Sequence, residues 1–128
     1  MEKNDYYKYM FLIAAFWNWL VGVTFILTSI LAPDAISIFG VANPPSFMWM
    51  HIVFALIILF GCFFFATSRN LQKYHGIAIF YILEKSIFLV ISLIYLIIGH
   101  INLLGFMPTA VDTVFGCLFI EFLLKYEA

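Results

Sequence analysis

Charged residues are scarce in this chain of 128 residues, where they make up 10%, against about a quarter in a typical soluble domain. Six Lys and Arg residues oppose seven Asp and Glu residues, which gives a net charge of −1. This balance supplies no basic surface for a nucleic acid, so we exclude a nucleic-acid partner. A soluble protein of this size needs far more polar surface than the sequence provides. Hydrophobic residues, at 66%, indicate an integral membrane protein whose surroundings are lipid.

Cysteine is also scarce, with Cys62 and Cys117 as its two instances. They form no C-x-x-C motif, which argues against disulfide exchange, and we expect free thiols buried in the protein.

The histidines, at positions 51, 75 and 100, lack the spacing of a zinc site and the matched depths of haem ligands. We therefore predict no metal and no other cofactor. The sequence contains no nucleophile–base pair and no phosphate-binding loop, so an enzyme is the least favoured class.

Four long apolar stretches are present, and each is long enough to cross a bilayer as a helix. They cover residues 9–31, 47–67, 76–98 and 103–124. Helices are expected because unpaired backbone groups are too costly in lipid and the alternation typical of barrel strands is missing. The predicted fold class is all-α: a polytopic membrane protein in which a single domain, residues 1–128, forms an antiparallel bundle of four transmembrane helices.

The cations outside the predicted spans all belong to one side of the bundle. They are Lys3, Lys8, Arg69, Lys73 and Lys125. The two connections on the other side, residues 32–46 and 99–108, carry no Lys or Arg. The positive-inside rule then places both termini in the cytoplasm. We expect a multi-pass protein of the cytoplasmic (inner) membrane.

Each predicted span carries one stripe of small and polar residues, which are the residues that mediate helix association in lipid. Residues 4, 7 or 11 positions apart share one face of a helix. The stripes are Ala14, Asn18, Gly22 and Ser29; His51, Ala55, Cys62 and Ala66; Ala78, Tyr81, Lys85, Ser92 and Gly99; and Thr109, Asp112 and Gly116. We predict that these four stripes face the interior of the bundle.

Three strongly polar residues fall at one depth near the middle of the membrane. From the rise of 1.5 Å per residue, Asn18 and Lys85 lie roughly 3 Å to the cytoplasmic side of the midplane, and Asp112 roughly 3 Å to the outer side. A charge at the centre of a helix costs roughly 2.5–3.5 kcal/mol on insertion scales. We therefore predict a buried Lys85–Asp112 ion pair that is supported by Asn18 and reached by His51. An inert pair that fixes helix register and a polar site that binds a solute, a lipid headgroup or a proton remain equally compatible with the sequence.

Glu84 adds a second carboxylate to the same layer, about 100° around the helix from Lys85. For Glu84 we favour a hydrogen bond across an oligomer interface over a proton-carrying site. Four more residues are candidates to line a cavity beside the polar cluster: Trp17, Trp19, Tyr81 and Ser92. The connection over residues 32–46 either lies on the membrane surface as a short helix or caps the bundle above such a cavity.

Phe16-Trp17-Asn18 in the first span, Lys85 in the third and Asp112 in the fourth resemble the layout of small bacterial four-span proteins of the DoxX-like sort. The resemblance covers most of the chain. It implies a four-helix bundle in a bacterial cytoplasmic membrane. It implies no activity, substrate or catalytic residue.

The intramembrane polar cluster favours a small binding or accessory protein that recognises a lipid, a small amphiphile or a partner subunit. The alternative is a small oligomeric transporter or channel that uses Glu84, Lys85 and Asp112 for ion or proton coupling. Membrane lipid is the expected partner in either case, together with further copies of the chain or a larger membrane complex.

Overall fold

The computed structural model describes residues 3–42 and 44–126, and all regular structure within them is helical. There are five α-helices: α1 (Lys3–Leu31), α2 (Met48–Arg69), α3 (Leu71–Tyr74), α4 (Ala78–Ile97) and α5 (Leu103–Lys125). A 3₁₀ helix, Pro33–Phe39, lies between α1 and α2. Helices α1, α2, α4 and α5 are long and apolar enough to cross a membrane. The all-helical fold class and the four candidate spans are thereby confirmed.

Two details of the helices differ from the sequence prediction. Helix α1 begins at Lys3 rather than at residue 9, and Asp5 lies in its first turn. A carboxylate there interacts favourably with the free N–H groups of the helix N-terminus, so the helix extends into the polar segment. The connection after α2 contains the short helix α3, whose first turn is capped by Asn70: its side-chain oxygen accepts a hydrogen bond from the backbone N–H of Lys73 at 3.2 Å.

The helices pack chiefly in two pairs, α1 with α2 and α4 with α5. At one end of the molecule, the rings of Tyr7 and Tyr126 lie 6.0 Å apart between centroids. We call this the terminal end. At the other, the loop end, the 3₁₀ helix contacts Asn102, the residue before α5. The backbone N–H of Asn102 donates to the carbonyl of Phe39 at 3.0 Å, and its side-chain amide donates to the carbonyl of Ile38 at 2.8 Å.

Aromatic rings fill the core towards the terminal end. Phe11 on α1 stacks on Phe119 of α5 with ring centroids 5.0 Å apart, and its edge meets Phe122 at 4.9 Å. Phe64 on α2 and Tyr81 on α4 meet edge to face at 4.8 Å. All five rings are buried. These are favourable aromatic geometries, and the cluster connects α1, α2, α4 and α5 in one core.

The polar stripe predicted for the first span is confirmed, because all four of its residues are buried: Ala14, Asn18, Gly22 and Ser29. Gly22 is required by a close approach of the two helices. A Cβ atom added there would lie 2.5 Å from Cγ1 of Ile58 and 2.9 Å from the carbonyl oxygen of Phe54. The small residue therefore allows α1 and α2 to pack directly against one another, as in other membrane helix pairs.

The stripe predicted for the second span is wrong. Ala55 and Cys62 are exposed, whereas Gly61 and Phe64 are buried against the other helices. On the inward face of α2, Phe64 fills the aromatic core and Gly61 leaves room for the indole of Trp19. The polar residues buried on this helix are Thr67 and Ser68, outside the predicted stripe. Both cysteines are free and exposed, which corrects the prediction that Cys62 and its counterpart on α5 are buried.

Candidate functional site

A charged cluster lies at the centre of the bundle, where α1, α4 and α5 each contribute one polar residue. The ammonium Nζ of Lys85 lies 3.0 Å from Oδ1 of Asp112 and 3.1 Å from Oδ1 of Asn18. The side chain of Lys85 is 2% exposed, so its charge depends on these protein oxygens for compensation. The predicted Lys85–Asp112 ion pair is thus present, and Asn18 supports it by accepting a hydrogen bond from the same ammonium group.

Tryptophan and asparagine side chains fix this cluster to the surrounding helices. Trp17 donates its indole N–H to Oδ1 of Asp112 at 3.0 Å, so Oδ1 accepts from both Trp17 and Lys85. The amide of Asn18 donates to the backbone carbonyl of Ile57 on α2 at 3.1 Å, which connects α2 to the cluster. Both hydrogen bonds that the Asp112 carboxylate accepts from described residues end on Oδ1, and none ends on the other oxygen, Oδ2.

Glu84 lies beside Lys85 and faces the same ammonium group. Its Oε2 atom is 3.5 Å from Nζ of Lys85, and its side chain is 10% exposed. Oε2 is buried and has no hydrogen-bond partner among the described residues. Although Glu84 leaves the helix about 100° from Lys85, its stem is long enough for the carboxylate to approach the ammonium group of its neighbour. The hydrogen bond across an oligomer interface stays a prediction. The ring of Phe64 lies 5.2 Å from the same Nζ and adds a cation–π contact.

A cavity of about 340 Å³ lies between this cluster and the loop end. Asp112 is the one charged residue among the described residues that line it, and two hydroxyls accompany it, with Thr109 donating to Oγ of Ser92 at 2.9 Å. The rest of the lining is apolar and includes Val21, Ile57, Met50 and Pro108, with Phe25, Phe39, Phe54 and Phe88 as the aromatic part. The cavity is therefore an apolar chamber that ends on a carboxylate.

The 3₁₀ helix forms the far end of this cavity. Its Ile36 is buried, and Phe39 packs on Phe25 of α1 with ring centroids 5.0 Å apart. Asn102 lies about 15 Å along α5 from Asp112, given the rise per residue, and its two hydrogen bonds anchor the 3₁₀ helix above the cavity. Residues 33–39 of the connection therefore cover the cavity, as the capping alternative predicts.

His51 does not reach the cluster, which corrects the sequence prediction. A nitrogen of its ring lies 2.7 Å from Oγ of Ser29, and the ring stacks near Phe47. His51 is also absent from the described lining of the cavity. Ser29 lies on α1 well towards the loop end and offers His51 a nearer polar partner than Asp112.

The four residues predicted to line a cavity lie in three different environments. Ser92 lines the cavity, and Trp17 contacts its carboxylate. Trp19 donates instead to the carbonyl of Ile58 at 3.2 Å, and the hydroxyl of Tyr81 lies 2.8 Å from Oγ1 of Thr67. Trp19 and Tyr81 therefore stabilise helix packing and lie outside the cavity lining.

The aromatic lining of the cavity is not predicted from the sequence. Sixteen phenylalanines spread along a chain give no periodic signal by themselves. Two of the lining rings nevertheless share a helix face with a polar residue: Phe25 is seven positions from Asn18, and Phe88 is three positions from Lys85. Extending each polar stripe to include the aromatic residues on it identifies both.

Comparison of the chain with protein-family models, with curated proteins and with solved structures found no match. The resemblance to DoxX-like proteins therefore stays a prediction.

Proposed function

We propose that this chain is a small intramembrane binding protein that holds a small amphiphile in the capped cavity. The observation that carries the proposal is the pairing of an apolar chamber of about 340 Å³ with a single carboxylate at one end. Ligand sites in proteins have this size and this character, a largely apolar wall with a few placed polar groups. The apolar wall suits a hydrocarbon chain, and Asp112 suits its polar head.

The unused oxygen of Asp112 supports a binding role over a purely structural one. A pair that only fixes helix register needs its carboxylate and ammonium in contact, and Oδ1 of Asp112 already meets that need. Oδ2 has no donor among the described residues, and Asp112 borders the cavity. An apolar cavity of this volume is large enough for roughly ten waters but favours an apolar guest.

For the orientation, we propose an antiparallel bundle with both termini in the cytoplasm of a bacterial cell. The one-sided distribution of cationic residues supports this orientation. The helices or connections that meet at the terminal end carry Lys8, Arg69, Lys73 and Lys125. The connections at the loop end carry no Lys or Arg. The positive-inside rule then directs the terminal end to the cytoplasm. The cavity consequently lies in the outer half of the inner membrane.

A matched pair of substitutions tests the binding proposal. Val21 lines the cavity, whereas Val23 on the same helix is 46% exposed. Val21→Phe places a ring in the chamber and is expected to abolish saturable binding of short amphiphiles; Val23→Phe is expected to leave it unchanged. Binding of hexanol, hexylammonium and hexanesulfonate is followed in lipid nanodiscs by the tryptophan emission, because Trp17 contacts Asp112.

The proposal fails if no probe binds saturably to the unmodified protein. It fails equally if Val21→Phe and Val23→Phe bind every probe alike, since the signal then arises outside the chamber. Thermal unfolding of both variants controls for a general loss of structure.

Ion or proton coupling is the second candidate function, and the buried Glu84 oxygen without a hydrogen-bond partner favours it. The chain would then act as an oligomeric transporter or channel. Proteoliposomes that show a proton or cation flux, lost on Glu84→Gln and kept on Asp34→Asn, would select this function. Asp34 is the appropriate control because its side chain is exposed on the 3₁₀ helix. An absence of flux in the unmodified protein excludes the candidate.

A further inference from the structure

The chemistry of the cavity restricts the kind of amphiphile it can hold. We propose that the occupant is a protonated alkyl amine, whose ammonium group donates to Oδ2 of Asp112 while its hydrocarbon chain extends towards the 3₁₀ helix. The inference rests on the proposed function and adds the charge and donor character of the ligand. Three features of the site support it: the net charge of the cluster, the hydrogen-bonding groups at the base of the cavity and the aromatic residues in the cavity wall.

The charge balance of the cluster favours a cation. The single ammonium group of Lys85 contacts two carboxylates, those of Asp112 and Glu84. When all three groups are ionised, the layer carries −1, and no cationic residue is among the described lining of the cavity. A bound monocation neutralises the layer, whereas a bound anion takes it to −2 in surroundings that screen charge poorly.

The hydrogen-bonding groups at the base of the cavity are oxygen atoms. Oδ2 of Asp112 has no donor among the described residues, and the hydroxyl oxygens of Ser92 and Thr109 lie in the same lining. A primary ammonium group has three N–H donors and no acceptor. It therefore complements the carboxylate oxygen better than an alcohol does, and far better than an anionic head group, for which the described lining offers hydroxyl donors but no charged donor.

The aromatic wall suits the same ligand. Phe25 and Phe54 stack with their centroids 4.9 Å apart, and Phe39 packs on the other edge of Phe25. These rings lie towards the 3₁₀ helix, so they provide apolar surface against which the alkyl chain of the ligand packs while its ammonium group is at Asp112.

The lining also argues against an inorganic cation. Metal ions of the hard class need six or more oxygen ligands at short distance. The described lining offers one carboxylate and two hydroxyls, from Asp112, Ser92 and Thr109, amid apolar side chains. An organic cation, which needs fewer polar contacts and brings its own apolar surface, fits this wall.

Affinity measurements with three head groups on one chain length test the inference. Hexylammonium, hexanol and hexanesulfonate are titrated against the full chain in nanodiscs of zwitterionic lipid, with empty nanodiscs to correct for partitioning. We expect hexylammonium to bind about tenfold tighter than hexanol, which is the gain in affinity expected from one charge-assisted hydrogen bond. Hexanesulfonate is expected to bind weakest of the three. Asp112→Asn should lower the hexylammonium affinity about tenfold and lower the hexanol affinity by much less, so that the preference for the ammonium over the alcohol disappears. Asp34→Asn is the matched control and should alter neither.

The outcomes separate this inference from the proposed function. Equal affinities for hexanol and hexylammonium, both lost on Val21→Phe, overturn the cation preference and leave the binding function intact. Failure of all three probes to bind overturns both. A cation preference that survives Asp112→Asn places the cation elsewhere and also overturns the inference. If Asp112→Asn does not fold, the head-group comparison in the unmodified protein and its loss in Val21→Phe decide the question.

Discussion

Lys85→Met is expected to lower the free energy of unfolding by about 3–5 kcal/mol, the cost of breaking a buried ion pair from one side. Among the described residues, Asp112 then keeps the indole N–H of Trp17 as its one donor, and Glu84 loses the ammonium group that it faces. Methionine retains most of the stem volume, so the loss reports on charge rather than packing. Unfolding of the purified protein in mixed micelles, followed by circular dichroism, gives the measurement.

The double variant Lys85→Met/Asp112→Leu distinguishes pairing from independent contributions. Once both partners are apolar, neither position holds a charge that has lost its partner. The double variant is therefore expected to lose less unfolding free energy than the two single variants lose in sum. Strict additivity of the two single changes would show that Lys85 and Asp112 do not stabilise one another. That result would contradict the cluster as described.

Phe11→Ala is expected to cost about 3–5 kcal/mol, the range for removing a large aromatic side chain from a core. The ring of Phe11 is fully buried and contacts Phe119 and Phe122 of α5, so its loss opens a hole between helices. Phe16→Ala is the matched control on the same helix, because the side chain of Phe16 is 61% exposed. Equal losses of unfolding free energy from the two substitutions would mean that the aromatic core is misplaced.

The charged cluster can be predicted because its residues are rare in the spans. Lys85 is the one lysine deep within a predicted span, and Asp112 and Asn18 fall at its depth by simple counting of helical rise. An isolated charge in lipid must find a partner, and few candidates exist. The cost of an unpaired charge and the scarcity of partners together lead from the sequence to this ion pair.

Side-chain direction cannot be predicted in the same way. The helical angle assigns Glu84 to a different face from Lys85, yet its flexible stem brings Oε2 to 3.5 Å from the ammonium group. The polar stripe of the second span directs His51 towards the cluster, yet its ring contacts Ser29 instead. Both outcomes depend on torsion angles and on the nearest available polar atom, which the spacing of residues does not encode.

The cavity cannot be predicted from the sequence because it depends on how separate elements meet. Its cap requires Gly105 on α5 to lie against the 3₁₀ helix, where an added Cβ atom would come within 2.5 Å of the carbonyl oxygen of Phe39. Gly40 ends the 3₁₀ helix with φ of 79°, a conformation that favours glycine. Each glycine is recognisable in the sequence, but the contact that it permits with a distant segment is not.

The most direct test of the binding account is to locate a ligand in a crystal of the protein grown in lipid. A hexylammonium probe brominated at the far end of its chain allows the bromine to be placed by its anomalous scattering. We expect the ammonium group against Asp112 and the bromine beside the stacked pair of Phe25 and Phe54, on the side of the 3₁₀ helix, with the site empty in Val21→Phe crystals. Bromine found only on the exposed faces of the helices, or a chamber closed by its own side chains, would contradict it.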